Sequence, residues 1–214
     1  MSDFLNSTFF TFDYGCFNIL HELASNAKWL TPIMKVVTLV GEKGIVMFFA
    51  AFVLMLFSRT RKVGVCVFGS VSCGALLTSI ILKNFIARPR PFLSSVAEYA
   101  EWWSFVGENA EDGFSFPSGH VTAALAGVLA LFIFCKKKGT ASLLFLYPIV
   151  MAVSRVYLVA HYATDVIAGM IVGTSSAIIA YFITVLIFHF LEEHRNIGLF
   201  SFIIDFDLIR LLKR

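Results

Sequence analysis

Charge is what this chain has least of: Asp, Glu, Lys and Arg make up 14% of its 214 residues, against 58% hydrophobic and 15% aromatic residues. With a mean hydropathy of +0.83, that composition excludes a water-soluble domain of this size and points to an integral membrane protein. Basic residues are missing before Lys28, and Asp3 and Asp13 precede any long apolar stretch. No cleavable signal peptide is therefore expected, and the first spanning segment is expected to act as the insertion signal. Cysteine is scarce as well. Cys66 and Cys73 fall on one predicted helix about 10.5 Å apart, too far for a disulfide, and Cys16 and Cys135 stand far from them in the chain. No CxxC spacing occurs, so neither a zinc site nor a redox pair is indicated. No repeat, low-complexity tract or linker divides the chain, which reads as one domain over 1–214.

What the chain has instead is apolar runs, at roughly 44–57, 63–82, 120–135, 140–160 and 166–190. Most approach the roughly 20 residues that a helix needs to cross the hydrocarbon core, so the predicted fold class is an all-α, polytopic membrane helix bundle with five to six crossings. The segment 12–40 mixes Phe12, Ile19, Leu20, Leu23, Trp29 and Leu30 with Asp13, His21, Glu22, Asn26, Lys28 and Lys35, which reads as interfacial helix. The expected layout is an interfacial N-terminal region (1–43), a transmembrane core (44–190) and an amphipathic tail (191–214) on the cytoplasmic surface.

Cationic clusters orient these crossings. Arg59, Arg61 and Lys62 follow the first run, Lys136, Lys137 and Lys138 the third, and Arg210, Lys213 and Arg214 close the chain, so all three are expected on the cytoplasmic side. Alternation then puts the connection from Lys83 to His120, and the turn carrying His161 and Asp165, on the outer side. The outer connection is acidic after Arg90, with Glu98, Glu101, Glu108, Glu111 and Asp112. The net charge of +3 is accounted for by these loops, and no nucleic-acid partner is indicated.

Three polar clusters interrupt the apolar sequence, and an ionisable residue at membrane depth costs about 2.5–3.5 kcal/mol, so each is a candidate site. In SRVYLVAHYATD, His161 and Asp165 are four apart, the spacing at which a helical carboxylate holds one imidazole nitrogen and leaves the other free as a base or nucleophile. Taken alone, the pair equally fits a core histidine satisfied by a carboxylate. In FPSGH, just before an apolar helix, Ser118 is placed as a cap, Gly119 allows close backbone approach, and the first-turn amides and dipole suit an anion; His120 stands in that turn. An ordinary capped helix with a surface histidine is the bland alternative. In KNFIARPRP, Pro89 and Pro91 disfavour helix, so Arg90 can fold back, while Lys83 and Arg88 are covered by snorkelling to lipid headgroups.

Together these read Lys83, six residues, Arg90-Pro91; Pro117-Ser118-Gly119-His120; then Ser154-Arg155, five residues, His161, three residues, Asp165. That three-part pattern resembles the type 2 phosphatidic acid phosphatase and vanadium haloperoxidase superfamily, and the small bacterial membrane members in particular. The resemblance implies that His161 is the nucleophile forming a phosphohistidine, Asp165 orients it, and His120 protonates the leaving oxygen. Lys83, Arg90, Ser118, Gly119 and Arg155 would bind the phosphoryl oxygens, with no metal or other cofactor. Tyr157 and Tyr162 are assigned only packing or interfacial anchoring. The implied activity is removal of phosphate from a lipid phosphate or pyrophosphate at the outer face, with undecaprenyl pyrophosphate, phosphatidylglycerophosphate and phosphatidate as candidate substrates. Two other readings keep the same pocket. One is a non-catalytic phospholipid-binding or transport protein, against which intact His161 and His120 count; the other is a vanadate-dependent haloperoxidase, against which membrane embedding argues.

Overall fold

The structure, a computed structural model, describes residues 1–109 and 111–209, and among these every regular element is helical. The chain begins with α1 (Ser2–Thr8), α2 (Phe10–Asn26) and α3 (Leu30–Val40), followed by a short turn and α4 (Ile45–Met55). Next, α5 (Arg61–Ala75) continues through a π-helical segment (Leu76–Leu82) into α6 (Lys83–Ile86), and α7 (Ala97–Phe105) lies in the long connection. The second half holds α8 (Gly119–Phe134), α9 (Lys138–Ala141), α10 (Leu146–Tyr157), α11 (Ala163–Glu193) and α12 (Gly198–Asp205).

Four helical courses are long and apolar enough to cross a bilayer: Leu30–Met55, Arg61–Leu93, Lys138–Tyr157 and Ala163–Glu193; Gly119–Phe134 is a shorter apolar helix. The five expected runs are thus present, but the first starts earlier than expected. Residues 30–40, read above as part of an interfacial region, form one long apolar course with it. The Gly41–Gly44 break that suggested a boundary is a local kink, with Lys43 at φ 50° and Gly44 at φ 70°, from which the chain resumes as α4.

The bundle is built around α5, α8 and α11, which pack against one another, with α4 against α5 and α10 against α8 and α3. Side chains directed away from this centre are apolar: Phe49, Phe52, Ile80, Ile171, Phe182 and Leu186 are each more than half exposed. A surface of this kind suits hydrocarbon and not water. Inside, these hydroxyls return to their own helices: Ser70 to the Cys66 carbonyl, Thr78 to Gly74 and Ser176 to Val172.

α8 and α11 approach almost backbone to backbone. A Cβ on Gly169 would lie 2.7 Å from the Ser118 carbonyl oxygen, and one on Gly173 would lie 2.8 Å from that of Thr122. Glycine at both positions lets the start of α8 lie directly on the start of α11, which is what unites two of the polar clusters. The N-terminal region docks on the same end. Phe17 of α2 is buried among Tyr99 and Trp102 of α7 and Tyr162 before α11.

At the opposite end, α12 returns to the α4–α5 connection. Arg61, in one of the basic clusters expected on the cytoplasmic side, is buried and donates to the carbonyls of Met55, Ile203, Ile204 and Phe206, while Asp207 accepts from the Ser58 N–H and hydroxyl. The basic residues Arg210, Lys213 and Arg214, read as cytoplasmic, lie outside the described residues.

The α8–α11 contact predicts that Gly173→Ala lowers stability by about 1–3 kcal/mol through overpacking. Gly139→Ala, whose added Cβ meets nothing within 4 Å, is the control and leaves the melting temperature in detergent unchanged.

Candidate active site

A cavity of about 750 Å³ opens at the end of the bundle where α5–α6, α8 and α11 meet, and its wall includes Lys83, Arg90, Glu111, Gly119, His120 and His161. The three sequence clusters therefore converge. Arg155, at the end of α10, is fully buried behind them and reaches Glu111.

The π-helical segment leads into Lys83, and Ala75, Thr78, Ser79 and Lys83 all face the cavity. Beyond α6, Ala87 adopts φ 52° and the two prolines hold the chain extended, which turns Arg88 and Arg90 back into the protein. Arg90 donates to the carbonyls of Ala160 (2.9 Å), Asp112 (2.8 Å) and Gly113 (3.1 Å), and its Nη1 lies 3.1 Å from His161 Nε2. A guanidinium has donors only, so the lone pair of a neutral imidazole is at Nε2 and its proton at Nδ1. Nδ1 faces the Asp165 carboxylate at 3.5 Å, within ion-pair range but longer than a good hydrogen bond. Burial, reinforced by the charges of Arg90, Arg155 and Lys83, holds the His161 imidazole well below its ordinary range, so the ring is neutral at physiological pH.

His161 is not on a helix with Asp165, as the four-residue spacing suggested. It sits in the turn after α10, and Asp165 is in the first turn of α11, where its Oδ2 accepts the Tyr162 N–H at 3.0 Å. The pair meets across a turn instead of along a helix face.

Ser118 occupies the N-cap position of α8, but its Oγ makes no cap bond and is buried without a partner among the described residues. Its N–H is directed at the Asp165 carbonyl (3.0 Å), tying the α8 start to α11. Gly119 has open space where a Cβ would stand, and His120 Nε2 is buried with no partner among the described residues.

Arg88 departs furthest from expectation. Far from snorkelling, it is fully buried, with Nη1 at 2.7 Å from Asp165 Oδ1, Nη2 at 2.9 Å from Asp13 Oδ2, Nε on Asn6, and the guanidinium 3.6 Å over the Tyr162 ring. Asp13 also accepts the Thr164 N–H and hydroxyl. Tyr162 is thus a platform for Arg88, while Tyr157 hydrogen-bonds Thr31 at 2.9 Å. Sequence reasoning passed over Asp13 and Glu111. A buried acid within an amphipathic stretch was the available signal for Asp13; nothing in local spacing marks Glu111.

This network predicts that Arg88→Met costs about 3–5 kcal/mol, because it leaves two buried carboxylates uncompensated. In thermal melts, combining it with Asp13→Asn loses less than the sum of the single losses, since one orphaned charge is removed.

The chain is 30% identical over 121 residues to an undecaprenyl-diphosphatase from Sulfolobus acidocaldarius, covering 56% of this chain and 55% of that protein. The chain spans about half the length of the curated relatives it matches. Among solved structures, Aquifex aeolicus LpxE aligns with a TM-score of 0.56 at 26% identity, over 75% of this chain and 92% of that one. A transmembrane PAP2-type phosphatidylglycerolphosphate phosphatase from Bacillus subtilis shares the fold, at a TM-score of 0.54 and 20% identity, over 85% of this chain and 94% of that one. The PAP2 superfamily pattern matches residues 63–189, which include all three polar clusters, and the chain belongs to that superfamily.

Proposed function

We propose that this protein is a lipid phosphate or pyrophosphate phosphatase that needs no metal and works through a phosphohistidine. The observation that carries this reading is the placement of His161, whose Nε2 lies 3.1 Å from the cavity-lining cation Arg90, in the same cavity wall as Lys83 and His120.

In the first step, His161 Nε2 attacks phosphorus in line. An N–P bond forms, the P–O bond to the lipid or to its remaining phosphate breaks, and His120 gives its proton to the departing oxygen. Asp165 faces the Nδ1–H and stabilises the positive charge that the ring gains. Lys83, Arg90 and Arg155 stabilise charge on the equatorial oxygens, the role that a metal ion fills in many phosphoryl-transfer sites. In the second step, water attacks the phosphohistidine, giving its proton to His120 and releasing inorganic phosphate. Splitting the reaction in this way avoids a poorly activated water in the first displacement.

Several features favour a lipid. The cavity lies at the end of a bundle with an apolar exterior, so an acyl or prenyl chain can stay in hydrocarbon while the headgroup enters. Lys35 and Lys43 line the same cavity beyond Lys83, which gives a second phosphoryl group cations of its own and favours a diphosphate. The undecaprenyl-diphosphatase among the relatives supports the same choice. The site is proposed to face outward and α12 the cytoplasm, on the strength of the cationic connections Arg59–Lys62 and Lys136–Lys138.

The decisive experiment measures phosphate release from a panel of lipid phosphates and diphosphates in detergent. His161→Asn is expected to lose at least about a thousandfold in kcat with the melting temperature retained. Rapid quenching of the wild type with radiolabelled substrate is expected to trap an acid-labile, alkali-stable phosphoprotein that this variant lacks. EDTA is expected to leave the rate within about twofold; a loss restored by magnesium would refute the role given to the fixed cations.

A further inference from the structure

Glu111 is the one carboxylate among the described residues that both reaches the phosphate-binding arginines and lines the cavity. Its Oε1 lies 2.5 Å from Arg155 Nη2 and its Oε2 lies 3.5 Å from Arg90 Nη2, so its two oxygens bridge two guanidiniums, as two oxygens of a phosphoryl group would. Burial pushes the Glu111 carboxyl up, but Arg155 and Arg90 outweigh it and hold the group below the ordinary carboxylate range, hence ionised.

The surrounding backbone is anchored independently of this carboxylate. Lys35 donates to the Gly107 carbonyl, Trp103 to Asn109, and Arg90 to Asp112 and Gly113. The Glu111 side chain itself is 18% exposed, at the cavity wall, and its polar contacts among the described residues are the two arginines. It can therefore rotate away without unfastening the connection that carries it.

We propose that Glu111 is an internal occupant of the phosphoryl site, which substrate must displace, and that it thereby sets the affinity of the site for phosphate. The proposal rests on the phosphatase reading of the cavity. Two arginines held at a low-dielectric boundary need a counter-charge when no substrate is bound, and a singly charged carboxylate is one that a doubly charged phosphate can outcompete. The same contact lowers product affinity, which favours release of inorganic phosphate after each turnover.

The rival role makes the opposite prediction. If Glu111 only holds the two guanidiniums in position, removing its charge disorders them and weakens anion binding. The test is a calorimetric titration of purified full-length protein in detergent with inorganic phosphate, for the wild type, Glu111→Gln and Glu111→Asp. Glu111→Gln is expected to bind phosphate at least fivefold more tightly. Glu111→Asp, one methylene too short to bridge both arginines, is expected to bind more tightly by a smaller factor, and it keeps the charge should the glutamine variant not fold. Equal, weaker or undetectable binding in the folded variants overturns the proposal. Because the titration requires no turnover, it is separable from the enzymatic reading: lipid phosphate release by the wild type with no tightening in the variants refutes the role of Glu111 alone. Tighter phosphate binding by variants of a protein that hydrolyses no lipid refutes the enzyme and leaves the occupant.

Discussion

A guanidinium can be buried in a membrane protein only if its donors are used, and three of them are buried here within one end of a small bundle: Arg88, Arg90 and Arg155 are 0%, 2% and 0% exposed. Where each spends its donors separates their roles. Arg88 gives all its polar contacts to side chains that belong to the protein, on α1, α2 and α11, and behaves as a structural tie. Arg90 divides its donors between the carbonyls of Ala160, Asp112 and Gly113 and the His161 ring. Arg155 has a buried Nε without a partner among the described residues, gives one arm to Thr38 and directs the other at a carboxylate in the cavity wall. Donor capacity is therefore held back where phosphate is expected and consumed where it is not.

The sequence shows this division only in part. Lys83, Arg90, His120, Arg155, His161 and Asp165 are legible because they sit at fixed intervals in a pattern and because charge stands out against apolar runs. Arg88 stands out in the same way, yet nothing near it in the chain reveals its partners, which are Asp13 and Asp165, 75 and 77 residues away. The N-terminal region looked peripheral for the same reason. Its mixed composition is that of an interfacial helix, but Asp13 and Phe17 face inward, and Asp13 pairs with the buried Arg88. Composition reports that charges are buried or exposed on average, and pairing across the fold decides which.

Helix packing in this protein serves the site more directly than overall stability alone would require. The glycine face of α11 lets the Ser118 carbonyl approach at a distance that any side chain would prevent, and the Ser118 N–H then reaches the Asp165 carbonyl. The same aspartate thus fixes α8 through its backbone and Arg88 through its carboxylate, and it faces His161 Nδ1 with the second carboxylate oxygen. Displacing α8 moves His120 relative to His161, and displacing Arg88 moves Asp165. The position of the His161 ring is consequently coupled to contacts made well outside the cavity.

The five residues between Arg155 and His161 make sense only in this light. On a continuous helix, six positions at about 100° each would turn His161 away from the face that carries Arg155. Instead α10 ends at Tyr157, Val159 takes φ 55°, and the N–H groups of Ala160 and His161 both return to the Arg155 carbonyl at 3.1 and 3.2 Å. A β-branched residue in that conformation is strained by about 1–3 kcal/mol, which only a heavily constrained surrounding maintains. The constraint is visible: Ala160 offers its carbonyl to Arg90, and α11 starts immediately after, anchored through Asp165 and Thr164. The turn folds the nucleophile back over the end of its own helix, so that Arg155, Arg90 and His161 converge although their spacing is not helical. A spacing that is inefficient for a helix is what a tight reversal requires, and the reversal is what brings the His161 imidazole beside Arg90 with the Asp165 carboxylate facing its other nitrogen.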